Sequence, residues 1–539
     1  MKISGRLIDI HQRRILDADI YVSKGKIGKI ERRGNKNDNY IMPGLIDAHI
    51  HIESSMLTPA AFAMAAVPHG TIGVVSDPHE IANVLGIRGI DYMIEDSMRV
   101  PFKFWFGAPS CVPATGFETS GGKIEAADIE KLIKRKDIKY LSEMMNFPAV
   151  TGGETDSMVK IEAAKKEGKR IDGHAPGLSG DELRRYVNAG ISTDHECSTM
   201  REAQEKISLG MKILLREGSA ARNLDALKDL FIKYPDELMM CSDDLHPEML
   251  REAHMNRLVA KLISEGYDMF DVIRSATMNP VKHYNLDAGI LREGDDADFI
   301  LVDSPDKMNI LETWINGEKV YDRGRTLFSH SGAKAINNFN CKKISESDII
   351  VKNEHCKFRV IEAFDGELIT GELIHEPEEG YLIEPETGQD ILKIVVKDRY
   401  NDAPPAVGFI RGFKLQNGAF GSSVAHDSHN IIAVGTNNRD IVTAINEIVS
   451  LTGGMAVANG TEKHSLKLDV AGIMSTKPCS EVASEYEMLT QKVKNLGCKM
   501  SAPFMTLSFM ALLVIPELKL SDRGLFDGKR FLPVPLFVK

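Results

Sequence analysis

No two cysteines in this 539-residue chain stand as Cys-x-x-Cys, and their number, seven, is odd. That argues against a disulfide framework and reads as reduced thiols in a cytoplasmic protein. Long apolar runs are also missing. The longest, Phe504 to Ile515, is too short to span a bilayer and fits a buried segment, so no membrane partner is expected. No block of Lys and Arg stands out against a formal net charge of -11, so no nucleic-acid partner is expected; the acidic balance speaks to solubility. The start of the chain carries no signal-peptide pattern, since Ile8 to Arg13 is polar and strand-like. No glycine-rich phosphate loop, internal repeat or low-complexity tract occurs.

What is there centres on Gly44-Leu45-Ile46-Asp47-Ala48-His49-Ile50-His51-Ile52-Glu53. Pro43 and Gly44 break what precedes, and the apolar residues that follow make a strand. His49 and His51 are two apart, so on a strand they face the same side and can aim at one metal ion. A lone His-x-His is more often a pair of ordinary strand histidines. The next two hundred residues change that balance.

Residues 44–284 alternate short strands with amphipathic stretches. The strands are Leu45–His51, Thr71–Asp77, Phe102–Ala108, Ile138–Met144, Arg170–His174, Ile191–His195, Met211–Arg216 and Leu238–Asp243. Helices are expected at Ile124–Lys136, Ser157–Gly168, Gly180–Asn188, Met200–Leu209 and Asn223–Lys233. Eight repeats of this kind point to an α/β fold, a (β/α)8 TIM barrel. A doubly wound sheet would want a phosphate loop after the first strand. Residues 1–43 read as short strands, and so does 285–338, with a hairpin turning at Asn316-Gly317. Together they are expected to form a small β-sandwich domain from segments flanking the barrel. Residues 339–539 are expected to make an extra C-terminal α/β domain, with strands such as Asp348–Val351 and Lys357–Ala363 and helices at Arg439–Ser450 and Ser480–Leu496.

Catalytic groups of such barrels sit at the C-terminal ends of the strands. Those ends here carry His49 and His51; Asp77, His79 and Glu80; Glu143; Asp172 and His174; Asp194, His195 and Glu196; Asp243 and Asp244. Each alone reads as a loop or capping residue. Together at one structural level they point to a metal centre. Four imidazoles and two carboxylates exceed one tetrahedral shell and suit two ions sharing a carboxylate and a hydroxide. A nitrogen and oxygen shell allows Mn, Fe or Zn. The mononuclear zinc deaminase signature is absent, because no Pro-Cys-x-x-Cys accompanies His51-Ile52-Glu53.

At this point the chain resembles the amidohydrolase superfamily. Within it, nearly the whole length resembles the adenine deaminases. The residues that carry this are Ser76-Asp77-Pro78-His79-Glu80-Ile81-Ala82-Asn83, the run Ala108 to Thr115, Asp172 to Pro176, Ser192 to Glu196, Cys241 to Pro247 and Ala425-His426-Asp427-Ser428-His429-Asn430. The resemblance implies hydrolysis of adenine to hypoxanthine and ammonia, as in purine salvage, with two divalent ions, Mn ahead of Fe or Zn. It implies His49, His51, Glu143 and Asp243 on one ion and Glu143, His174 and His195 on the other. Asp243 is then the acid–base residue, Glu80 the proton donor to the ring, with His79 as second choice, and Asp244 and His429 lie against substrate. Asp77 and Asp194 are expected to support ligands, and Cys111 and Cys197 to be buried thiols. A homo-oligomer is expected. The runner-up is a cyclic-amide hydrolase or another deaminase of the superfamily, although those relatives commonly bridge their metals with a carboxylated lysine. Here Lys139 opens the fourth strand and Glu143 closes it.

Overall fold

Apolar runs bounded by turn residues form strands buried on both faces when they pair in parallel. In the computed structural model, which describes residues 1–34, 38–330 and 332–538, every residue of Leu45–Ile50 and Thr71–Ser76 is buried. These two strands continue into Lys103–Ala108, Ile138–Met144 and Ile171–Gly173 as one parallel sheet. A second parallel sheet holds Thr193–Asp194, Lys212–Arg216 and Leu238–Cys241. The two sheets meet along both edges. Asp243 N donates to His49 O at 2.9 Å, His51 N to Asp243 O at 3.2 Å, and Ser192 N to Ile171 O at 2.9 Å. The result is a curled, TIM-barrel-like arrangement of mixed α/β character.

Four of the expected helices appear at Ala126–Leu132, Thr155–Lys166, Gly180–Ala189 and Met200–Ser208. The fifth is different. Only Leu224–Leu227 is α-helical, and Lys228–Ile232 tightens into a 3-10 turn. Leu224, Leu227, Leu230 and Phe231 are buried on this segment.

The segments flanking this unit join into one eight-stranded sheet. Its centre is the antiparallel pairing of Phe299–Val302 with Tyr40–Pro43. The Asn316-Gly317 hairpin is present, with φ of 51° and 74°, the positive values that a tight two-residue turn requires. Another sheet is built from residues 357–467, with Phe537–Val538 pairing with the start of Lys357–Ala363, and Asn438–Leu451 packs against it. The strand expected at Asp348–Val351 is not there. Glu346–Ile349 is a 3-10 turn, because Ser345 and Asp348 form a reciprocal capping box that holds the backbone in a helical entry. Phe504 to Ile515 is a buried helix and loop, apart from a partly exposed Val514.

Asp47 anchors the junction of the first and last parallel strands. It is fully buried, and its oxygens accept from Ser242 N at 3.1 Å, His49 N at 3.2 Å and the Ser242 hydroxyl. His254 Nε2 lies 2.9 Å away. Removing one partner of such a network strands the others. Asp47→Ala is therefore expected to lower stability by about 3–5 kcal/mol, read as a reduced urea midpoint; an unchanged midpoint would remove Asp47 as the anchor of this seam.

Candidate metal centre

His49 and His51 leave the first parallel strand on one side, as alternation dictates. Their rings meet edge to face at 4.9 Å, and His49 stacks on His195 at 4.2 Å. His51 Nδ1 lies 3.2 Å from Asp77 O, which fixes that nitrogen as donor and turns Nε2 toward the site. Tyr186 ties the neighbouring strand ends together, donating to Met144 O at 2.7 Å and accepting from His174 N at 3.1 Å.

Glu143 stands in the middle. Its Oε1 is 3.4 Å from His51 Nε2, while its Oε2 is 2.9 Å from His174 Nδ1 and 3.2 Å from His195 Nε2. Asp243 Oδ1 faces His51 Nε2 at 3.1 Å and His49 Nε2 at 3.8 Å. Ligand atoms bound at ~2.1 Å to a common tetrahedral ion lie ~3.4 Å apart, which is this spacing. Both ring nitrogens of His49 are buried without a hydrogen-bond partner. The donor set is all imidazole nitrogen and carboxylate oxygen. The residues present thus fit a divalent metal centre.

The electrostatics are those of a charge network taken out of water. Burial alone would raise the Glu143 carboxyl, but His174 and His195 outweigh it and hold it well below the usual range. Burial likewise opposes ionisation of Asp243, and Arg216 with His51 and His195 overrides it. Arg216 lies against both Asp243 and Glu196. Asp243 also adopts a left-handed backbone with φ of 56°, strain of the kind found where a side chain must be aimed.

A second group of side chains lies beside the first. His79 Nδ1 is 3.2 Å from Asp77 Oδ2 and 3.4 Å from Glu143 Oε1, and its Nε2 is 3.5 Å from Glu80 Oε1. Glu80 is gripped from the C-terminal part of the chain. His426 Nδ1 is 2.6 Å from Oε1, and His429 Nε2 lies against Oε2. Burial opposes the Glu80 charge, but His426 and His429 hold it well below the usual range. Burial lowers His426 in turn, and Glu80 more than reverses this, raising it to about 9. Asp244 accepts from Ser54 Oγ at 2.5 Å.

Most of these side chains line one cavity with Leu368, Asp427, Phe509, Leu512 and Ile515, whereas His49 and His429 are not on its wall. Its free volume is about 40 Å³. Part of its wall therefore comes from beyond residue 360.

Residues 40–320 match the amidohydrolase family, and residues 367–532 match the adenine deaminase C-terminal domain. An adenine deaminase of Methanosarcina mazei is 50% identical over 552 residues, covering 99% of each chain. One of Salinibacter ruber is 50% identical over 541 residues, again covering 99% of each. One of Borreliella burgdorferi is 45% identical over 542 residues, covering 98% of each. This chain belongs to the adenine deaminase family.

The structure brings together every residue named from sequence for this site: His49, His51, His79, Glu80, Glu143, His174, His195, Asp243, Asp244 and His429. Asp194 is turned away, accepting from Glu196 N at 2.8 Å and Ala175 N at 3.0 Å and pairing with Lys206 at 3.2 Å. Cys111 and Cys197 are buried free thiols. Four polar site residues had no assigned role in the sequence reading: Glu196, Arg216, His426 and Asp427. Arg216 ends the seventh strand at the same level as the ligand candidates, so the strand-end rule that found Glu143 would have found it. His426 and Asp427 fall inside the polar run 425–430, whose alternative reading as an ordinary surface loop fails because the run is almost wholly buried.

Glu143 faces His51 through one oxygen and His174 with His195 through the other, so Glu143→Ala is expected to lose bound metal as well as turnover. Elemental analysis after purification checks this; a variant that keeps a full metal complement with normal turnover would falsify the shared role.

Proposed function

We propose that this chain hydrolyses adenine to hypoxanthine and ammonia. The observation that carries the reading is the family relation at about half identity along the whole length, including the C-terminal part that walls the cavity. The architecture we propose is a closed (β/α)8 barrel at 44–284, a small β-sandwich domain from 1–43 and 285–338, and a C-terminal domain at 339–539. We place the protein in the cytoplasm as a homo-oligomer.

Two divalent ions are proposed, Mn ahead of Fe or Zn. His49, His51, Glu143 and Asp243 would hold one, and Glu143, His174 and His195 the other. When bound, such ions lower the pKa of water toward neutrality and neutralise charge at the reacting carbon. The chain's own residues do the rest. Asp243 takes a proton from the water that attacks C6 of the purine and returns it to the departing amine. Arg216 keeps Asp243 ionised and fixes its direction. Glu80 delivers a proton to N1 as C6 becomes tetrahedral, with His79 as the second candidate. The His426 imidazolium beside Glu80 relays that proton to it and recovers one through Glu80 when the hydroxyl on C6 becomes the carbonyl, so that the proton transfers balance. Asp244 and His429 contact substrate. Phe509 and Ile515 cover the cavity and help exclude water from the reacting ring.

Asp243→Asn is expected to lower kcat by roughly 10²–10⁴ with KM little changed; a raised KM at normal kcat would rule out the acid–base role. Steady-state ammonia release should favour the free base, and adenosine deaminated as fast as adenine would overturn the substrate assignment. His429→Ala is expected to weaken adenine binding or turnover while the metal content stays normal. Full activity in a soluble chain truncated near His330 would show that the C-terminal part is dispensable.

A further inference from the structure

A separate cleft of about 460 Å³ opens at the end of the parallel strands opposite the metal centre. Three chain segments line it. Residues 134–139 lead into the fourth strand, whose far end carries Glu143. Residues 167–170 lead into the fifth, followed by His174. Residues 282–285 close the third side. Seven cationic side chains line this cleft against one carboxylate, Glu167, in a chain whose net charge is -11.

The ordinary explanation is neutralisation, and it does not cover the count. Arg135 is tied to Asp91 at 2.6 Å and Asp137 at 2.9 Å, and Lys139 lies 3.6 Å from Asp287. Lys134, Lys136, Lys169, Arg170 and Lys282 take part in no ion pair among the described residues. Lys169 Nζ donates to the carbonyls of Arg135 at 2.8 Å and Ile138 at 2.5 Å, and Arg170 Nε to that of His283 at 2.9 Å. These bonds fix both cations on the cleft wall without neutralising them. Helices Ala126–Leu132, Thr155–Lys166 and Met278–Tyr284 end beside the cleft, and each C-terminus contributes about -0.5 charge. With Glu167 and the paired acids Asp91, Asp137 and Asp287 included, an excess of about 1.5 positive charges remains.

We infer that this cleft binds a phosphate-bearing small molecule. A phosphate monoester carries about -1.5 to -2 charges at neutral pH, which matches the excess, and presents oxygens to several ammonium donors at once. The volume lies in the range of small-ligand pockets, about 300–1,000 Å³, so it leaves room beyond the phosphate.

The test is calorimetric titration of the full-length, metal-loaded protein at low ionic strength with ribose 5-phosphate, inorganic phosphate and, as uncharged control, ribose. Ribose 5-phosphate is expected to bind and ribose not to. Tighter binding of ribose 5-phosphate than of phosphate assigns an organic monoester, and equal binding assigns the free anion. The Lys136→Gln/Lys282→Gln double variant should bind at least about tenfold more weakly with normal deamination, which also reports that it is folded. Asp243→Asn, altered at the metal centre, should bind as the parent does. No binding to the parent, undiminished binding to the double variant, or loss confined to Asp243→Asn would each overturn the proposal.

Discussion

The site depends on one carboxylate held between two sets of imidazoles. Glu143 is almost fully buried, and an isolated carboxylate there would cost several kcal/mol of desolvation. His51 on one oxygen and His174 with His195 on the other offset that cost by pairing. The arrangement brings four strand ends to one point, so the curl of the parallel sheets and the chemistry of the centre are the same constraint seen at two scales. The seam between the first and last strands, held by Asp47 and by the backbone of Asp243, sets how closely Asp243 approaches His49 and His51.

A second layer of charge surrounds this core. Arg216 and Glu196 on one side, and His79, Glu80, His426 and His429 on the other, form a continuous polar network away from bulk water. In low dielectric such charges act strongly on each other, so Arg216 determines the state of Asp243, and His426 that of Glu80. The Glu80 pair crosses from the parallel-sheet unit to the C-terminal sheet. That contact joins two parts of the chain that are 346 residues apart in sequence, and it makes the C-terminal part a participant in the site rather than an appendage.

The sequence by itself determined the element pattern and most of the site. Period-two strands and period-3.6 helices depend on local burial, so the eight parallel strands were readable, as were the flanking strands and the Asn316-Gly317 hairpin. The ligand candidates were readable because strand ends of a repeating unit fall at one level, which converts sequence position into spatial position. Local competition between hydrogen-bond partners was not readable. The capping box of Ser345 and Asp348 turned an expected strand into a 3-10 turn, and the helix expected after Asn223 ends as a 3-10 turn.

Only the tertiary structure decided what lies across from what. No spacing in the sequence brings Arg216 against Asp243, or His426 against Glu80. Those pairings follow from how the sheets curl and how the C-terminal part docks, and docking is fixed by many weak contacts spread over distant residues rather than by any local signal. The same reason hid the cationic cleft. Its lysines come from three separate turns, each an ordinary helix end when read alone, and only the closing of the sheet gathers them into one field.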